Sequence, residues 1–145
     1  MPTRPIKQIL QNREFVSVTP ATSTTAAAKL MKRHHVSAVL VVDEQALLTG
    51  ICTERDVVIK VVAARLDPNL IQVGAIMTEH PQTITDDKPF GNALHMMYEG
   101  GFRHVPVVDR AGRPLGILSA RDARAVDAVQ FEHELVRREE ITIML

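Results

Sequence analysis

Aromatic side chains are scarce: the 145 residues hold four phenylalanines, one tyrosine and no tryptophan. A surface that stacks bases needs such rings, so their scarcity argues against a single-strand nucleic-acid platform. Charge of one sign is missing too. The 17 lysines and arginines balance 17 aspartates and glutamates, which leaves no electrostatic footprint for a nucleic-acid backbone. A lone cysteine, Cys52, cannot close an internal disulfide and points to a reducing compartment. No apolar run approaches the roughly 18 residues of a membrane span. The start, Met1-Pro2-Thr3-Arg4-Pro5, lacks the basic-then-apolar order of a secretory signal. On these absences the protein is expected to be soluble and cytoplasmic, with neither nucleic acid nor membrane as partner. What is present is a 46% apolar composition, too rich for a disordered tail.

The chain repeats itself. Sliding it along its own length lays Val39, Val41, Val42 and Asp43 on Val105, Val107, Val108 and Asp109. The same shift lays Gly50-Ile51 on Gly116-Ile117 and Arg55-Asp56 on Arg121-Asp122, and Ala27 and Met31 on Ala93 and Met97. No gap is needed from Ser17/Thr83 to Asp56/Asp122. Further back, Ile6, Ile9 and Leu10 match Val73, Ile76 and Met77 once one extra residue is allowed in the first copy. Internal repeats of this kind decide the fold before any local pattern does.

Each copy reads as β-α-β-β-α. A short β-branched stretch (Val16-Ser17-Val18; Thr83-Ile84-Thr85) leads through turn residues into a helix. In the first copy Thr22 or Ser23 is the expected cap for a helix over residues 26–32. In the second, Asp86 or Asp87 is the expected cap, with Pro89 in the first turn and Gly100-Gly101 as the stop. His34 and His35 are expected to end the first helix, favourably placed at its negative pole. Valine-rich strands over residues 36–42 and 102–108 read as buried on both faces. The Asp-Arg-Ala-Gly turn at 109–112 follows the second of them, and short strands over 50–52 and 116–118 run into a second helix. A unit of this size is marginal alone, so the two copies should pack sheet to sheet.

The two strand-to-helix junctions carry the chemistry. They read Gly50-Ile51-Cys52-Thr53-Glu54-Arg55-Asp56 and Gly116-Ile117-Leu118-Ser119-Ala120-Arg121-Asp122. A hydroxyl followed three residues later by an acid resembles a capping box. The same arrangement can bind. Free N–H groups and a hydroxyl suit an anion, and glycine upstream lets a ligand or another backbone come close. Arginine can grip a phosphate bidentately, and a carboxylate one turn on can hold a ribose diol. Capping and binding are compatible.

These residues, with Met77-Thr78 and Gly101-Phe102-Arg103-His104-Val105-Pro106-Val107-Val108-Asp109, resemble a tandem CBS-domain pair of the stand-alone bacterial type. The module takes its name from cystathionine beta-synthase. The resemblance covers about residues 5–128. It implies an α/β fold of two repeats (1–66 and 67–128) packed through their sheets about a pseudo-twofold axis, with an extension over 129–145. It also implies two clefts that take adenine nucleotides (AMP, ADP or ATP) or other adenosyl compounds such as NAD(H) or S-adenosylmethionine as regulatory ligands. It further implies a disc-shaped homodimer, with any effector protein expected to act in trans or to be absent. By position, Thr53 and Ser119 would contact phosphate, and Asp56 and Asp122 the ribose. Arg55 and Arg121 would lie at the phosphate exit, with Arg103 and His104 as basic phosphate ligands. Val18-Thr19 and Ile84-Thr85 would flank the base with aliphatic side chains and backbone. The first repeat has Ser37 and Ala38 where the second has Arg103 and His104, so the clefts should differ.

Other readings remain beside this one. No His-x-x-x-His or Cys-x-x-Cys spacing favours zinc, and His80 and His133 read as surface residues. Ser119 with His104, or Asp122 with His95, lacks the third group of a nucleophilic site, so no enzyme is expected. Cys52 reads either as core, like its repeat partner Leu118, or as a redox sensor with a lowered thiol pKa. A ligand-free dimerisation scaffold would fill its clefts with side chains such as Met97 or Tyr98. Val126, Val129, Leu135 and Val136 suggest a dimer-contacting or solvated helix. The apolar residues 141–145 are expected to dock on a partner subunit or on their own module.

Overall fold

A computed structural model of the chain describes residues 3–124. The expectations for the end of the last helix and for 129–145 fall outside the described residues. The described chain runs α1 (Ile6–Leu10), β1 (Ser17–Val18), α2 (Thr24–His34), β2 (Ala38–Val42), β3 (Leu48–Thr53) and α3 (Glu54–Val57), the last continued by a π-helical turn (Val58–Val62). It goes on through α4 (Val73–Ile76), β4 (Thr78–Glu79), α5 (Phe90–Gly100), β5 (His104–Val108) and β6 (Pro114–Ser119).

Helix α2 starts where its chemistry dictates. The Ser23 hydroxyl accepts the Ala26 N–H at 3.1 Å, which satisfies one of the donors a helix leaves free at its start. At the other end Lys32, Arg33 and His34 fill the last turn, and His35 takes the left-handed conformation at φ 54°. The Val36 N–H then bonds back to the Met31 carbonyl at 3.0 Å, and at the equivalent place Phe102 bonds back to Met97 at 3.2 Å. These closures turn the chain out of the helix. They explain why β2 and β5 begin at Ala38 and His104 rather than at 36 and 102.

Helix α5 differs from expectation at its start. Neither Asp86 nor Asp87 caps it; Pro89 holds the cap position with no side-chain bond. The Asp87 carboxylate instead accepts the Thr85 hydroxyl. The carbonyls of Asp86 and Lys88 accept N–H groups of Lys7 and Ile6, each at 3.0 Å. The segment before α5 is therefore occupied in holding α1.

Strand order in the first sheet is β1-β2-β3-β4, with β1 parallel to β2 and the other pairs antiparallel. In the second, β5 pairs β6 antiparallel, and the expected strand over 83–85 contracts to one parallel bridge between Ile84 and Val107. The two hairpins carry the same register shift, between Val41 and Val42 and between Val107 and Val108. Both turns are tied by an aspartate: Asp43 accepts two N–H groups at 2.9 Å, and Asp109 accepts those of Ala111 and Arg113.

Strand alternation sorts the side chains into layers. Val39 and Val41 face α2 in a core with Ala27, Met31, Cys52 and Val61, while Ala38, Leu40 and Ile51 face the other half against Phe15 and Ile117. The second half has its own core of Ile84, Phe90, Ala93, Met97, Val105, Val107 and Leu118. The short helices cross over. Ile6 of α1, at the start of the first copy, is buried in the second core. Val73 and Ile76 of α4, at the start of the second copy, are buried in the first.

The crossing explains the glycines of the two junctions. A Cβ on Gly50 would collide with the Met77 sulfur and lie 3.0 Å from the Thr78 carbonyl. One on Gly116 would come within 2.9 Å of Leu10. The close approach foreseen for a ligand or a backbone is made by the residue ending each crossed helix.

His35 and Gly101 occupy the same place in the two copies, both left-handed, at φ 54° and 69°. A side chain costs energy in that conformation and glycine does not. Replacing His35 with glycine should raise stability by about 0.5–1 kcal/mol in urea unfolding; an unchanged or lower midpoint would contradict this account of the helix end.

Candidate functional site

In the first junction Thr53 ends β3 and caps α3. Its hydroxyl accepts the Asp56 N–H at 3.3 Å, and Asp56 Oδ2 accepts the Thr53 N–H at 2.9 Å. This is a reciprocal capping box. The other carboxylate oxygen, Oδ1, pairs with Lys60 Nζ at 3.0 Å, and the same ammonium donates to the Ile76 carbonyl at 2.8 Å. Lys60 thus joins the junction to the end of the crossed helix α4.

The second junction is built alike and neutralised differently. The Ser119 N–H donates to Asp122 Oδ2 at 2.8 Å, and Asp122 Oδ1 pairs with Arg13 at 2.9 Å. Arg13 comes from the segment after α1. Each acid has one oxygen on its own backbone and one on a cation.

Both junctions open on one cleft of about 830 Å³. Of the residues expected in a site, it brings together Thr53, Arg55 and Asp56 from the first junction, Ser119 and Arg121 from the second, and Arg103 and His104. Five expected residues are not among its lining. Val18 and Ile84 are buried in the two cores, Thr19 bonds with Thr22, Thr85 bonds with Asp87, and Asp122 faces Arg13. The segment formed by β4 and the residues after it supplies Thr78, His80, Pro81 and Gln82 to the cleft wall instead. Strand β4 puts it there by pairing Thr78 and Glu79 with Ile51 and Gly50. The signal in the sequence was Met77-Thr78, which marks the start of the second copy but does not reveal onto which sheet it folds.

His104 links the halves across this cleft. Its Nε2 lies 2.8 Å from the Ser37 hydroxyl. Ser37 and Arg103, equivalent in the repeat, hold the two junctions in matching fashion: the Ser37 carbonyl accepts the Glu54 N–H and the Arg103 carbonyl accepts that of Ala120, each at 2.9 Å. Burial lowers the His104 pKa from its ordinary 6.5, and Arg103 and Arg121 lower it further against the opposing pull of Glu54 and Asp122.

Two competing readings meet the geometry here. Met97 is buried in the second core and Tyr98 is 89% exposed; neither lines the cleft, so the side-chain plug of a ligand-free scaffold is not formed by them. Cys52 is fully buried in β3. Burial, with the Asp56 charge adding to it and Lys60 opposing it, pushes the thiol pKa up to about 12. That is the opposite of the lowered pKa a redox sensor requires. The thiol should resist a disulfide reagent at pH ~8 in the native protein and react once guanidinium unfolds it; native labelling at the free-thiol rate would overturn this placement.

The comparisons with known proteins agree with this architecture. The CBS domain family matches residues 6–63 and 73–128. An uncharacterized 17.7 kDa protein of Acidianus ambivalens is 36% identical over 122 residues, covering 83% of this chain and 72% of that one. The chain spans only about a fifth of the longer Arabidopsis thaliana CBS domain-containing proteins it matches. Among solved structures, the CBS domain pair of protein MJ0100, in complex with 5′-methylthioadenosine and S-adenosyl-L-methionine, superposes with a TM-score of 0.80 at 27% identity, covering 89% of this chain and 99% of that one. The CBS domain protein PAE2072 of Pyrobaculum aerophilum, complexed with AMP, gives 0.75 at 26% identity, covering 82% and 89%. With its duplicated junctions, its two sheets and both family matches in register with them, the chain belongs to the CBS-domain family as a tandem pair.

Proposed function

We propose that the protein is a regulatory, non-catalytic module that binds an adenine nucleotide or other adenosyl compound in the cleft and signals through a homodimer to an effector in trans. The observation that carries the reading is the convergence of both junctions, with Arg103 and His104, on one cleft. The adenosyl ligands of MJ0100 and AMP in PAE2072 support the ligand class. In this reading Arg55, Arg103 and Arg121 hold phosphate, with the Thr53 and Ser119 hydroxyls adding donors. Asp56 exchanges its Lys60 contact for ribose hydroxyls. Ile51, Pro81 and Phe102, all on the cleft wall, supply the apolar contact first assigned to Val18 and Ile84.

The homodimer reading is supported by the turn after α3. Val58, Ile59 and Val62 are 53%, 54% and 65% exposed and adjacent on one helical surface. Such a patch is an association surface in a folded protein. A second copy covering it would set the two clefts of a dimer in fixed relation, which is what a ligand-driven change of shape requires.

Isothermal titration with AMP, ADP, ATP, NADH and S-adenosylmethionine tests the ligand class, and binding of none of them below about millimolar concentration ends the reading. Asp56→Ala should weaken the bound ligand about 10–100-fold. Its loss of stability should stay near ~1 kcal/mol, the worth of the cap. Full affinity in a variant destabilised by several kcal/mol would leave Asp56 as a cap alone. Val62→Glu should turn a sedimenting dimer into a monomer; an unchanged sedimentation coefficient places the interface elsewhere.

A further inference from the structure

The charges around the cleft are unevenly satisfied. Asp56 and Asp122 are paired with Lys60 and Arg13. Arg55, Arg103 and Arg121 line the cleft without an ion pair among the described residues, and so does Glu54, so three such cations face one such anion. The basic excess therefore surrounds a histidine that is itself largely out of water.

Each element packed on His104 contributes a group. Ser37, before β2, meets its Nε2 at 2.8 Å. Glu54, at the start of α3, is the acid whose charge most favours protonation. Arg103, preceding it in sequence, and Arg121, after β6, oppose protonation, and Asp122 favours it from behind the Arg13 contact. Burial first, then Arg103 and Arg121, favour the neutral ring against the pull of the two acids.

We propose that a phosphate-bearing ligand enters this cleft together with a proton, which is held on His104, so that affinity falls as the solution becomes more alkaline. The proposal rests on the phosphate-binding part of the reading above, not on its adenosyl part, and adds its regulation. A phosphate group brings a charge near −1.5 to −2 at neutral pH. Placed among the arginines, it offsets the repulsion that Arg103 and Arg121 exert on the ring, adds an attraction of its own that works against the effect of burial, and accepts a hydrogen bond from the imidazolium. Ser37 keeps its contact throughout, since a hydroxyl serves as donor or acceptor.

The sign follows from linkage. The free protein holds His104 below its ordinary 6.5, and the ligand raises it. Binding therefore takes up protons in the window between the two midpoints, and affinity is lost as pH rises through it. Without ligand the same depressed pKa works the other way: stability is present above the unfolded value and lost as pH falls through the folded one.

Nuclear magnetic resonance of ring-labelled histidine, titrated from pH ~5 to ~8.5, reads His104 directly and apart from the phosphate's own ionisation near ~6. The probes are AMP and inorganic pyrophosphate, with adenosine as the uncharged control. Saturating AMP should raise the His104 midpoint by about one unit or more, equivalent to tenfold in affinity across the window, and adenosine should not. His104→Gln, which keeps a hydrogen-bonding partner for Ser37, should abolish the extra proton uptake measured calorimetrically in buffers of different ionisation enthalpy. AMP binding with the His104 midpoint unmoved, or undiminished uptake in His104→Gln, overturns the proposal and leaves the adenosyl reading standing. Pyrophosphate raising the midpoint where no adenosyl compound binds supports the proposal and removes that reading. Failure of AMP and pyrophosphate alike to move it overturns the proposal.

Discussion

The crossed exchange of the two short helices is the constraint on which the rest depends. Ile6 completes the core built around Phe90, Val105 and Leu118, and Val73 and Ile76 complete the one built around Ala27, Val39 and Cys52. Units of about 60 residues bury too little surface to be secure alone, and here neither closes its apolar interior with residues from its own copy only. The cores, the interface between the sheets and the cleft that both junctions share are therefore parts of one cooperative object rather than two modules in contact.

The exchange also makes the cleft. Because α4 docks on the first core, the chain leaving it must run along β3, and Thr78 to Gln82 become a wall of the cleft. Because α1 docks on the second, the chain leaving it carries Arg13 to Asp122. Equivalent acids in a duplicated sequence thus acquire different cations, Lys60 from the same helical segment and Arg13 from a distant one. The asymmetry expected from Ser37 and Ala38 against Arg103 and His104 extends to these partners. The two junctions are copies in sequence and unlike in electrostatic setting.

Much of this was legible from residue order. The repeat located the paired strands, Ser23 and Gly101 marked helix ends, and Thr53 with Asp56 spelled a capping box, since each of these depends on neighbours a few residues away. What was illegible depends on distant partners. Two stretches with three apolar matches each, Ile6-Ile9-Leu10 and Val73-Ile76-Met77, are too short for periodicity to say which core they enter. Asp86 and Asp87 had the chemistry of caps, but α1 and Thr85 claimed that segment first. Val18 and Ile84 are buried in the two cores, and a two-residue strand or a single bridge gives alternation too little length to decide in advance which side they face. Thr53, Arg55, Asp56, Ser119 and Arg121 were legible because they move with their junctions, whereas His80, Pro81 and Gln82 were not, because the crossing of α4 brings them to the cleft.

The exchange has a further bearing on how the chain reaches its fold during synthesis. Helix α1 precedes every other described element and is made before them, yet the residues that bury Ile6 extend to Leu118, near the end of the described chain. Until then its apolar face has no native partner, and α4 reaches the first core while the second is still incomplete. The first core, whose buried residues run from Val18 to Ile76, is complete once α4 has been made, whereas the second must recover Ile6 from a segment made long before it. The two copies of one repeat thereby close in unequal ways, one from a contiguous stretch and the other across nearly the whole described chain.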